Sequence, residues 1–262
     1  GDYTQSGGSY GGLGGRDPST GGTNAPFGDY RQPIDFGVGG YVNSSSYQGS
    51  HGGGAIKLVV ANRLEVYGKI LSNGDYSYRV GGGSGGSIWI DAGELVGDEN
   101  TLIEATGGQG YVAATGGGGR IAIYYDSISG VDSKQQIFAR GGSNYSATTA
   151  YGAAGTVYLY DRSLASGNAT LQVVNRSSAE SYESTYLSGQ VDADIYVSKG
   201  RLTIGDGAHI AATISGDGSG SAYVIAEGTF TAANNALLVD GFTLELAEDI
   251  NFDSITVENN GK

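Results

Sequence analysis

The chain of 262 residues carries 49 glycines, three prolines, no cysteine and no methionine, with a formal charge of −13. That length suits one large β domain or two smaller ones, and a glycine share well above the usual ~7% without a three-residue period excludes collagen. Long helices are excluded too, since each interior glycine costs a helix roughly 1 kcal/mol, and the missing cysteines remove disulfides and thiolate chemistry.

Disorder is the rival reading of so much glycine, but 19 tyrosines and a hydrophobic content of 39% argue for a packed core. No apolar run approaches the roughly 18 residues of a membrane span. No signal peptide stands at Gly1, and the missing initiator methionine reads as a processed product. The charge is uneven: residues 1–80 hold six basic and six acidic side chains, whereas 176–262 hold four and thirteen. Such an acidic half repels nucleic acid and anionic membranes and leaves cations, basic surfaces and neutral glycans as partners.

Residues 1–54 form a Gly/Ser/Tyr/Asn-rich stretch. The bulky cluster Pro26-Phe27, Tyr30, Pro33-Ile34 and Phe36 marks it as an ordered, loop-rich coil packed on the first of a set of repeats rather than a plain linker. The repeats begin after it, as an apolar strand that recurs behind a glycine pair: Gly53-Gly54-Ala55-Ile56, Gly85-Gly86-Ser87-Ile88, Gly118-Gly119-Arg120-Ile121 and, with one glycine replaced, Ala154-Gly155-Thr156-Val157. The steps from Ile56 to Ile88, Ile121 and Val157 are 32, 33 and 36 residues, the mark of a repeat architecture. A second apolar strand comes 14–16 residues after each first one, at Lys69–Leu71, Leu102–Ala105, Gln136–Ala139 and Leu171–Val174. One repeat cannot bury its apolar stripe alone, but stacked neighbours can. The predicted fold is therefore all-β: over 55–175 a β-solenoid, right-handed and parallel by the general handedness of crossovers, with an antiparallel sandwich as the alternative.

Residues 177–184 read as a polar connection, after which short strands come at tighter spacing up to Ser254–Val257. The expected organisation is a glycine-rich repeat solenoid over 1–175 and a smaller acidic β unit over 176–262, formed of narrower coils or a small sandwich. The pieces Gly81–Ile90 and Gly116–Tyr125, with Gly28–Pro33 upstream and Gly152–Leu159 downstream, resemble a glycine-rich module of very large secreted or surface proteins of microbes. The resemblance covers roughly residues 7–175, and the ending Ile255–Gly261 is similar to the segment that often comes after such a module. It implies an extracellular, adhesive or structural role and carries over no catalytic residue.

Candidate chemistry is sparse. Trp89, Tyr124 and Tyr158 fall at equivalent or near-equivalent places in successive repeats, so an outward ladder of rings could stack on sugars or on another protein, or merely on itself across strands. Asp98, Asp206 and Asp217 stand in acidic loops of hard oxygen ligands and are candidate calcium ligands, although no EF-hand or nine-residue calcium repeat is present and Asp-Gly is an ordinary turn pair. Asp192 with Asp194, and Asp91 with Glu94, are the carboxylate pairs a glycan-cleaving enzyme would draw on. Asn43, Asn144, Asn168 and Asn175 head Asn-x-Ser/Thr sequences, which are glycosylation acceptors only in a source that modifies secreted proteins. No clear cap appears at either end of the repeats. Unpaired edges invite pairing with other chains, and Ser254, Ile255, Thr256 and Val257 form the strand expected to pair with a second copy. The leading expectation is a non-enzymatic structural or adhesive segment of a surface fibre, ahead of a polysaccharide-binding module and then a glycan-cleaving β-helix enzyme.

Overall fold

A computed structural model describes all residues except 1–5, 17–21, 42–47, 112, 144–150, 165–167, 177–182 and 249–250. The described chain is almost entirely β, with one short α-helix at Ser133–Gln136, capped by the Asp132 side chain, and one 3-10 turn at Ala233–Asn235. The repeats predicted from spacing pair in register. Strands β1 (Ala55–Val66), β3 (Ser87–Gly97), β5 (Arg120–Tyr125) and β8 (Thr156–Asp161) lie side by side and parallel. Their partners run Ile56–Ile88–Ile121–Val157 and Leu58–Ile90–Ile123–Leu159. Inward residues alternate with outward ones, as period-2 strands require. Inner-rung Ile88, Ile90, Ile121 and Ile123 are wholly buried, whereas Ile56 and Leu58 on the outermost rung are only half-buried.

The second strands of the repeats, β2 (Lys69–Leu71), β4 (Leu102–Glu104) and β7 (Ile137–Phe138), form a separate parallel sheet. Its Ile70, Ile103 and Ile137 share one apolar core with the isoleucine ladder. A short strand β6 (Ser127–Ser129) pairs with the far end of β3. Arg162 ties three segments together, donating to Asp126 at 2.8 Å, to the Ala92 carbonyl at 2.7 Å and to Asp91.

The fourth repeat departs from expectation. Strand β9 (Asn168–Val174) does not join the second sheet but turns back and pairs antiparallel with β8, opposing Tyr158 to Leu171. Asp161 accepts hydrogen bonds from the Ser163 amide at 2.9 Å and hydroxyl at 2.6 Å, an Asx turn at the end of β8. Every other strand pairing among the described strands is parallel, so the hairpin-built sandwich is not what forms.

Beyond β9 the main sheet continues without a break through β12 (Asp194–Ser198), β15 (Ile214–Gly216), β18 (Ala236–Asp240) and β20 (Ser254–Glu258). Two further parallel sheets accompany it. One contains β10 (Thr185–Leu187), β13 (Arg201–Ile204), β16 (Tyr223–Ala226) and β19 (Thr243–Leu246). The other contains β11 (Gln190–Val191), β14 (Ala208–Ile210) and β17 (Phe230–Ala232). The chain visits the three sheets in turn, so Thr185, Leu202, Val224 and Leu244 share one row, and Val191 lies beside Ile210. Their inward side chains, with Phe230 and Phe242, fill a second core.

The described part of residues 1–54 is not laid only on the first repeat. Gly7–Gly15 is buried among the glycine runs of later repeats: the Gly8 amide donates to the Gly82 carbonyl at 3.0 Å, Gly11 to Gly118 at 3.0 Å, and Gly117 back to Gly8 at 2.9 Å. Tyr10 is fully buried, its hydroxyl 2.7 Å from that of Ser87. The same segment reaches the acidic half, with Gly12 bridging Thr185 and Arg16 donating to Glu183. Backbones meet here at distances only glycine allows; a Cβ on Gly116 would overlap the Gly83 carbonyl oxygen.

Candidate functional site

The aromatic residues singled out by position come together, but under cover. The register places Lys57, Trp89, Ala122 and Tyr158 in one row and Asp91, Tyr124 and Tyr160 in the next. Tyr124 joins the rings of the two rows. Trp89 and Tyr124 are 6.4 Å apart between centroids, Tyr124 and Tyr158 5.8 Å, and Tyr124 and Tyr160 5.5 Å. The N-terminal segment covers them: Tyr30 packs on Tyr158 at 5.5 Å, and the Tyr124 hydroxyl donates to the Arg31 carbonyl at 2.8 Å. Tyr158 is only 6% exposed, and Lys57 sits 3.4 Å over the Trp89 ring. The rings therefore form a seam packed against the core of the acidic half rather than an open platform.

Burial pushes the phenols of Tyr10, Tyr30, Tyr124 and, most of all, Tyr158 above the usual tyrosine range. The folded chain then holds protons that the unfolded chain releases above about pH 10. Stability from this source is fully present below that pH and is lost as pH rises through the folded values. The urea midpoint is expected to hold level from neutral pH to about pH 9.5 and then fall steadily. In Tyr158→Phe the alkaline limb should be shallower. An alkaline limb identical to that of the parent would contradict the buried seam.

The acidic loops do not converge. Asp98 accepts from the Asn100 amide at 2.9 Å, Asp206 from the Thr229 amide at 2.9 Å and hydroxyl at 3.0 Å, and Asp217 from the Ser219 amide at 2.9 Å and the Ser198 hydroxyl at 2.7 Å. The Thr229 amide and hydroxyl hold the Asp206 carboxyl below the usual range. Burial opposes ionisation of Asp217, but the Ser219 and Ser198 hydroxyls outweigh it and hold that carboxyl low as well. Asp98 and Asp217 each close their own turn, Asp206 and Asp217 also reach residues remote in sequence, and among the described residues no group of three or more His, Cys, Asp or Glu could hold a metal ion.

The paired carboxylates are likewise engaged singly. Asp192 accepts from the Gln190 amide group at 2.6 Å, Asp194 from the Thr213 hydroxyl at 2.7 Å, Asp91 from Arg162, and Glu94 lies 3.4 Å from Arg63. His51 pairs with Asp75 and His209 with Thr231, both at the surface. Of the glycosylation candidates, Asn43 and Asn144 lie outside the described residues and Asn168 is exposed. Asn175 is 2% exposed and is occupied with the Gly141 and Arg176 amides, which removes it as an acceptor.

The strand Ser254–Val257 lies within β20, at one edge of the main sheet, in register with β18. Ile255 pairs with Leu237 and Val257 with Val239; the inner residues of each pair are buried, while Ile255 and Val257 are 54% and 55% exposed. Sequence reasoning missed a cleft of about 650 Å³ between residues 25–31 and 186–190, walled in part by Phe27, Tyr30, Arg120 and Tyr186. Its one sequence signal was the bulky cluster around Pro26-Phe27 and Tyr30, which marked order but not a cavity. Among the described residues no helix is long and apolar enough to cross a membrane. No protein-family model matches the chain, and neither curated proteins nor solved structures give a significant match.

Proposed function

We propose that the chain is a non-enzymatic extracellular β-solenoid, a segment or subunit of a surface fibre with a structural and adhesive role. The observation that carries this reading is the state of the two ends of the ten-stranded sheet. At each end the apolar ladder stops on a rung whose outer side has no strand beside it among the described residues: Ile56 and Leu58 on β1, Ile255 and Val257 on β20. An open parallel edge bearing partly or largely exposed apolar residues is a template for one more strand. The charges at the ends are complementary. Lys57, Arg63, Lys69 and Arg79 outnumber Glu65 and Asp75 in the first coil, while Glu245, Glu248, Asp253 and Glu258 outnumber Lys262 at the last. Like ends repel and unlike ends attract, so addition is head-to-tail, a heterologous contact that propagates into a filament rather than closing as a dimer.

The test is concentration-dependent assembly measured by sedimentation and electron microscopy. The parent chain is expected to form long particles that shorten as salt is raised, since screening weakens the end-to-end attraction. Ile255→Asp with Val257→Asp places two carboxylates on an already exposed rung, so it should leave the fold intact and abolish assembly. Filaments of normal length from that variant would defeat the proposal.

A further inference from the structure

From the cleft between the N-terminal segment and the first coil of the acidic half, we infer a binding site for a neutral oligosaccharide, with Phe27 and Tyr186 as stacking faces and Asp29, Arg31 and Gln190 as hydroxyl partners. The cleft volume of about 650 Å³ lies within the range of small-ligand sites, roughly 300–1,000 Å³. Its walls mix apolar residues, Leu13, Pro26 and Leu187, with aromatic rings that are still open to solvent: Phe27 is 39% exposed and Tyr186 38% exposed. Aromatic faces of this kind suit the C–H faces of pyranose rings.

Polar groups fix the site. The Arg31 guanidinium donates to the Gln190 carbonyl at 2.8 Å and so joins the two walls. Arg120, 5% exposed, lines the floor; it donates to the Phe27 carbonyl at 2.9 Å and to the Thr156 hydroxyl at 3.2 Å. No carboxylate among the described residues stands within ion-pair distance of it, and its guanidinium also lies 5.6 Å from the centre of the Tyr10 ring. The lining carries both signs, Arg31 and Arg120 against Asp29, with Asp35 and Asp192 close by. Only Asp29 of these carboxylates lines the cleft, so the wall mixes both signs at close range and matches no single charge. It favours hydroxyl groups, each of which donates and accepts. The site shares no residue with the assembly edges β1 and β20, so it stands or falls apart from the proposed fibre.

The experiment is calorimetric titration of the full chain with cellohexaose, xylohexaose, maltohexaose and chitohexaose, and with hexagalacturonate as the charged comparison. Saturable binding of at least one neutral hexasaccharide is expected. Tyr186→Ala should weaken it at least about tenfold, the loss of one stacked ring and its buried area, without lowering the melting temperature. Gln190→Ala keeps the backbone carbonyl that Arg31 uses and should also weaken binding. Absence of binding to all four neutral sugars, binding of hexagalacturonate alone, or unchanged affinity in both variants would overturn the inference.

Discussion

Gly116→Ala is expected to destabilise the protein by about 3 kcal/mol or more, the upper range of overpacking costs. The added Cβ would meet the carbonyl oxygen of Gly83 well inside van der Waals contact. Neither backbone can step aside. Gly116 donates to Gly108 at 3.0 Å and accepts from Gly142 at 2.8 Å, while the Gly83 carbonyl accepts from Gly108 at 2.6 Å. Moving one run breaks bonds in the next, and a buried backbone group left unpaired carries its full desolvation cost. Gly54→Ala is the matched control. Nothing lies within 4 Å of its Cβ position, and its φ is not positive. That substitution should raise stability slightly, by about 0.4–1 kcal/mol, through the unfolded chain alone. Urea denaturation of the two variants beside the parent checks both signs.

Ile121→Ala is expected to cost about 2–5 kcal/mol, the range for deleting a fully buried aliphatic side chain. Ile121 lies between Ile88 and Val157 in the main ladder and faces the strands that carry Ile103 and Ile137. Ile56→Ala removes the same atoms from the same row one rung beyond Ile88, where the side chain is half-buried and has a strand on one side only. It should cost about 1 kcal/mol or less, in proportion to the smaller apolar area it keeps from water. If conditions that promote assembly narrow this difference, the outer rung is being covered by another coil. Equal costs for the unassembled chain would mean the rungs are not ordered as described.

The repeat was legible because it is carried by chemistry that recurs at fixed spacing. Ile56, Ile88, Ile121 and Val157 could be counted off the sequence, and the same residues pair strand to strand. The parallel second sheet could be read from Ile70, Ile103 and Ile137 in the same way. The hairpin of β8 and β9 was not legible. Leu171 falls at the spacing of a second strand, and nothing in that spacing separates a strand that joins the second sheet from one that pairs back on β8.

The burial of Gly7–Gly15 was hidden for a different reason. Its composition matches a flexible linker, and the contacts that order it, Gly8 with Gly82 and Gly117, are remote in sequence and made by backbone atoms common to every residue. The covering of Trp89, Tyr124 and Tyr158 is remote as well, since Tyr30 and Arg31 arrive from the far end of the chain. Over 185–246 the short strands could be read, but not their sorting into three sheets. The rows there recur at irregular steps, from Thr185 to Leu202, Val224 and Leu244. Steps that vary with the turns give no fixed period to count.

Parallel, in-register stacking underlies the buried glycines, the isoleucine ladder and the open ends alike. The chain has no cysteine, so a pair of introduced thiols reports on register without interference. Lys69 and Leu102 are direct partners on the outward side of the second sheet, and neighbouring parallel strands about 4.8 Å apart fall within the Cα separation a disulfide accepts, roughly 4.4–6.8 Å. Lys69→Cys with Leu102→Cys should oxidise to a single intramolecular disulfide, and Lys69→Cys with Glu104→Cys, displaced by two residues, should not. Faster closure of the displaced pair, or free thiols in both variants after oxidation, would contradict the stacked register.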